Sequence, residues 1–118
     1  MRTLIADVLQ EFYATRKTGA LFIVVKQSSE YLVRFYLEGG EILRVSYGPL
    51  KGRECLGLLD CYDFHKAVFF YGMKTPRASD GDMPMTSNVI SIMRSTGKTI
   101  NDLQFAPGRQ PVREAAVA

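Results

Sequence analysis

With 118 residues, 47% of them apolar, the chain is long enough for one hydrophobic core and too short for two. Its charged fraction of 23% and mean hydropathy of −0.03 exclude a disordered or fibrous chain. A net charge of +3, from basic residues spread along the chain and not gathered on one stripe, argues against a nucleic-acid partner. No apolar run approaches the roughly 18 residues of a membrane span. Arg2, Asp7 and Glu11 interrupt any signal-peptide core, so no membrane insertion and a cytoplasmic location are expected.

From Leu4 to Arg16, the residues Leu4, Ile5, Val8, Leu9, Phe12 and Tyr13 fall on one helical stripe, with Asp7, Gln10 and Glu11 outside it. Thr3 is placed to cap this helix, and Arg16, Lys17 and Gly19 to end it. Ala20 to Lys26 is apolar on both faces and reads as a central strand. After a turn at Gln27 to Glu30, Tyr31 to Leu37 alternates, setting Tyr31, Val33, Phe35 and Leu37 against Leu32, Arg34 and Tyr36. Glu41 to Tyr47 alternates too, with Leu43, Val45 and Tyr47 inward and Ile42, Arg44 and Ser46 outward.

Residues paired directly across two strands share a face, and the inward positions of both strands are odd-numbered. The connecting loop must then hold an odd number of residues. A three-residue loop of Glu38, Gly39 and Gly40 is expected, pairing Phe35 with Leu43 and Val33 with Val45. A two-residue Gly39-Gly40 turn sets Phe35 opposite Arg44 and is rejected.

Gly48, Pro49 and Gly52 break the ladder, and Arg53 to Tyr62 follows as a short helix carrying Cys55, Leu56 and Leu59 on its inner stripe. Ala67 to Tyr71 is an aromatic fourth strand closed by Gly72, and Met73 to Pro84 has a loop composition. Thr86 or Ser87 caps a last helix through about Arg94, with Val89, Ile90 and Met93 apolar and Gly97 as its stop. Ile100 to Phe105 adds one more turn or a short edge, and residues 106–118 form a mobile tail. The expected fold is one α+β domain over residues 1–105. In it, a small antiparallel sheet of about four to five strands packs against an amino-terminal helix, a short middle helix and a carboxy-terminal helix.

No catalytic constellation appears, so no enzyme is expected. Cys55 and Cys61 lie six apart on the middle helix and project about 240° from one another. They are expected to be unpaired thiols of a reducing compartment. Cys61 with His65, the single histidine, is the one nucleophile and base the spacing permits, but nothing beside them suggests an oxyanion site. Asp60 with Asp63, and Asp80-Gly81-Asp82, lack the further ligands that a metal centre requires. No cofactor is implied.

Two surfaces remain. Gly48, Lys51, Gly52 and Arg53 follow a strand and open a helix, where backbone amides and two cations can receive an anion or a nucleotide. The same glycines are also what a sharp turn requires, and that is the preferred reading. On the outer sheet face, Arg34, Tyr36 and Arg44 stand on adjacent strands beside Leu32 and Ile42, a composition favoured at interaction hot spots. A solvated face neutralised by Glu38 and Glu41 is the commoner use of such charges.

Four segments together carry a resemblance. Thr18-Gly19-Ala20-Leu21, Arg34-Phe35-Tyr36-Leu37-Glu38-Gly39-Gly40-Glu41-Ile42, Gly52-Arg53-Glu54-Cys55-Leu56-Gly57-Leu58-Leu59 and Phe69-Phe70 resemble the PATAN family, the amino-terminal domain of the bacterial PatA-type regulators. Its members show a Thr/Ser-Gly-x-Leu opening, a Phe-x-x-Gly hairpin, a Gly-x-Glu-Ala-Leu helix start and an aromatic strand. The resemblance spans about Leu4 to Met93. It implies an α+β adaptor of bacterial signalling, surface motility, type IV pili or developmental control, without catalytic residues. The chain departs from the pattern at Arg44 and Cys55, where alanine is usual, and around His65-Lys66-Ala67, where a glycine often precedes the aromatic strand. The expectation is a free-standing, non-catalytic adaptor that docks a partner protein through Arg34, Tyr36 and Arg44 or through the last helix near Val89 to Met93. A homodimer through the first helix or an edge strand is compatible with it. The alternative is an anion or nucleotide sensor at the Gly48 to Gly52 turn.

Overall fold

A computed structural model describes residues 2–27, 30–76 and 83–108. Their order is β1 (Thr3–Leu4), α1 (Ile5–Ala14), β2 (Gly19–Val25), β3 (Leu32–Glu38), β4 (Glu41–Tyr47), β5 (Leu50–Lys51), α2 (Gly52–Leu58), a 3-10 turn (Leu59–Cys61), β6 (Phe64–Tyr71), α3 (Thr86–Thr96), β7 (Thr99–Ile100) and β8 (Asp102–Pro107). The α+β class is as expected.

The doubly apolar β2 lies inside a six-stranded sheet ordered β5-β4-β3-β2-β6-β8. Every neighbouring pair is antiparallel except β6 and β8, which run parallel. A parallel pair needs a long crossover, here supplied by the segment that carries α3. A separate ribbon pairs β1 with β7, Thr3 opposite Ile100 and Leu4 opposite Thr99.

One face of the sheet makes the core. Leu21 stands between Phe35 and Phe69, and Ile23 between Val33 and Ala67. Ile5, Leu9 and Phe12 of α1, Cys55 and Leu56 of α2, and Val89, Ile90 and Met93 of α3 join these residues in a single buried cluster. The Phe12 and Phe69 rings meet at 4.3 Å. On the surface Arg94 Nη1 donates to Asp7 Oδ1 at 2.9 Å and ties α3 to α1.

The β3–β4 hairpin departs from the expected register. Gly39 and Gly40 both have positive φ, 59° and 89°, and make a two-residue turn with Glu38 opposite Glu41 and Leu37 opposite Ile42. A β-bulge then leaves Leu43 out of the ladder, so that Tyr36 pairs with Arg44, Phe35 with Val45 and Val33 with Tyr47. The three-residue loop and the Phe35–Leu43 and Val33–Val45 pairs are therefore corrected. Ile42 is the buried residue, and Leu43 is 44% exposed. The turn is anchored where α1 gives way to β2, the Gly39 amide donating to Thr18 Oγ1 and the Gly40 amide to the Lys17 carbonyl.

The helix ends also differ from expectation. Thr3 pairs in β1 and does not cap α1, whose N-cap is Leu4 with no side-chain bond. Gly19 opens β2, where a Cβ would come within 2.8 Å of the Phe69 ring, and α1 stops after Ala14. Thr86 is the first residue of α3, not its cap. Its buried hydroxyl accepts from the Ile42 amide and donates to Glu41 Oε1, fixing α3 to β4. Gly97, at φ 66°, ends α3 as expected.

The middle helix, expected from Arg53 to Tyr62, divides into α2 and the 3-10 turn over Gly52 to Cys61, and β6 begins at Phe64, ahead of the expected Ala67. The short edge expected from Ile100 to Phe105 is the full strand β8, running from Lys66 opposite Asp102 to Tyr71 opposite Pro107. Ala106 and Pro107 thus belong to the sheet and not to a tail. Residues 109–118 and the Asp80-Gly81-Asp82 segment lie outside the described residues. Among the described residues no helix is long and apolar enough to cross a membrane.

Candidate functional site

The three helices all feed the core on one side, so the other face of the sheet carries no helical layer among the described residues. Cross-strand register orders its side chains into two central rows, because directly paired residues share a face. One row runs Lys51, Ser46, Arg34, Phe22, Val68, Gln104, and the next runs Arg44, Tyr36, Ala20, Phe70, Ala106.

The rows are held by aromatic and cationic contacts. The Arg34 guanidinium carbon stands 5.0 Å from the Phe22 ring centroid, a cation–π contact. Phe22 meets Phe70 edge-on at 5.1 Å and Tyr36 edge-on at 6.1 Å. Phe22, Val24, Leu32, Val68 and Phe70 are half-buried. Beside Arg34 a depression of about 530 Å³ is lined by Glu30, Tyr31, Leu32, Arg34, Ser46 and Gly48. Tyr31, which lines it, meets Tyr47 edge-on at 5.7 Å, and Tyr47 of the core meets Tyr62 at 5.1 Å.

Arg34, Tyr36 and Arg44 are thus brought together as expected, but their parts differ. Tyr36 is only 6% exposed and acts as a support, while Ile42, expected beside them, is buried on the other face. The accessible apolar surface comes from Phe22, Val68 and Phe70, which the sequence reading did not single out. Their even numbers, matching Arg34 and Tyr36 once β2 is paired in register, are the signal that identifies them.

Gly48, Lys51, Gly52 and Arg53 do not converge. Lys51 pairs with Ser46 as part of β5 and so shares the bare face, whereas Arg53 lines a cleft of about 210 Å³ with Leu56, Gly57, Pro84 and Ile92. Gly48 backs onto the Tyr31 ring, and α2 has only seven residues.

Cys55 and Cys61 are both free, Cys55 in the core and Cys61 exposed. Burial pushes the Cys55 thiol up to about 12. His65 places Nδ1 3.4 Å from Asn101 Nδ2, and the Asn101 amide donates to its carbonyl. Asp63 exchanges hydrogen bonds with Gln27 and lies 3.6 Å from Lys98 Nζ, so it staples strand ends together. Among the described residues no three His, Cys, Asp or Glu side chains are grouped to hold a metal. No protein-family model matches this chain, and no curated protein or solved structure matches it either.

Proposed function

We propose that this chain is a non-catalytic adaptor that docks a partner protein on the bare face of its sheet. The observation that carries the reading is the row Arg34–Phe22–Val68, where a cation stacks on a half-buried aromatic beside further apolar side chains and none of the described helices covers them. Half-exposed aromatics with arginine are the composition of interaction hot spots. The resemblance of the Thr18-Gly19, Gly39-Gly40 and Gly52-Arg53-Glu54 segments to the PATAN family supports a place in bacterial signalling or surface motility. Two free cysteines suit a reducing cytoplasm.

The test is capture from native lysate by the tagged chain and by its Arg34→Glu/Arg44→Glu double variant. A partner held by the first and lost from the second, with circular dichroism and Tm unchanged, is the expected result. Equal capture by both removes this face from the function.

A further inference from the structure

The charge pattern of the bare face specifies its partner further, an inference that rests on the docking reading above. The two central rows contain three charged residues, Lys51, Arg34 and Arg44, all cationic and all on β5, β3 and β4. The β2, β6 and β8 half of the same rows is Phe22, Ala20, Val68, Phe70, Ala106 and the uncharged Gln104. Among the described residues the acids of this face stand at its margins: Glu30 at the rim of the depression, Glu38 and Glu41 by the hairpin turn, and Asp102 opposite Lys66. The face is therefore divided lengthwise into a cationic flank and an apolar flank.

We infer that it receives an amphipathic helix of a partner protein, with carboxylates on one side facing Lys51 and Arg34 and apolar side chains on the other over Phe22, Val68 and Phe70. A helix is the layer that a sheet face ordinarily takes. The seven residues of β2 extend about 23 Å, which about 15 helical residues match. The depression beside Arg34 and Ser46 gives one acidic side chain a place to enter, where the planar guanidinium offers paired donors to a carboxylate.

Two other occupants fit less well. A second copy of this chain brings the same two rows, which hold no carboxylate to meet Lys51 and Arg34 however the copies are turned. Single-stranded nucleic acid needs free ring faces for its bases. Here Tyr36 is buried, and Phe22 is covered by Arg34 and flanked edge-on by Tyr36 and Phe70.

The experiment selects phage-displayed helical peptides of about 16 random residues on the immobilised full chain and measures the winning synthetic peptide against three variants. Enriched peptides are expected to carry Asp or Glu on one flank and large apolar residues on the other. Affinity should fall about tenfold or more with Arg34→Glu, fall similarly with Val68→Lys, weaken with added salt, and stay unchanged with Leu58→Lys on α2. Winners without acids, unaffected by Arg34→Glu yet lost with Val68→Lys, overturn the acidic-helix inference and leave the docking reading standing. Winners unaffected by both variants overturn the two together. An empty selection overturns the inference, as does Arg34-sensitive binding of fluorescein-labelled oligothymidine or an Arg34-sensitive dimer in sedimentation.

Discussion

Cys55 is sealed between α2 and the sheet, and its burial has a consequence for pH. Its thiol is pushed up from its ordinary 9.0 to about 12 in the folded chain. Above the lower value the unfolded chain binds fewer protons than the folded one, so stability falls as pH rises. The stability this group contributes is fully present below that value, and it declines by up to about 1.4 kcal/mol per pH unit through the window between the two. Urea midpoints measured from neutral pH to about pH 10.5 should decline less steeply in Cys55→Ala than in the parent, although the variant starts lower at neutral pH because it leaves a small cavity. A parallel decline in the two proteins refutes the assignment. Cys61, exposed on the 3-10 turn, should be alkylated in the native state while Cys55 waits for unfolding.

At the scale of elements, the hairpin shows where sequence reading succeeds and where it stops. The alternation of Tyr31 to Leu37 and Glu41 to Tyr47 announces two strands, and the strands are there. The register is not legible, because an odd loop without a bulge and an even turn with one satisfy the same parity of Phe35 and Val45. The left-handed conformations of Gly39 and Gly40 decide it, and they depend on the turn docking against Thr18 and Lys17. The corrected register exchanges the roles of two neighbours. Ile42→Lys buries an unpaired charge and should cost several kcal/mol, whereas Leu43→Lys should stay within about 0.5 kcal/mol. Chemical denaturation of the two variants reads the difference, and the reverse order would restore the three-residue loop. Of the candidate face, Arg34 and Arg44 could be found from alternation. Phe22 could not be found from alternation, because a strand apolar on both sides shows its outward face only once its register with β3 is known.

For the whole molecule, the element that sequence reading underestimated most is β8. Its run from Asp102 to Pro107 has little periodic signal because an edge strand buries only part of itself: Leu103 is half-buried and Phe105 is 58% exposed. It also pairs in parallel with β6, a partner that local patterning cannot reveal. Both facts follow from topology and not from composition.

That parallel edge also sets an order in time. β2, β3 and β4 are neighbours in sequence and in space, so their meander can close over short loops, while β8 can join β6 only after α3 has crossed over. Refolding should thus meet its barrier with the meander formed and β8 still loose. Leu103→Ala, which packs against the core from β8 and should cost about 1–2 kcal/mol, is expected to speed unfolding and leave the refolding rate nearly unchanged in stopped-flow kinetics. Equal effects on both rates would place β8 in the nucleus. During synthesis the same sequence of events leaves the outer edge of β6 open until β8 leaves the ribosome, an interval in which that edge can pair with another nascent chain.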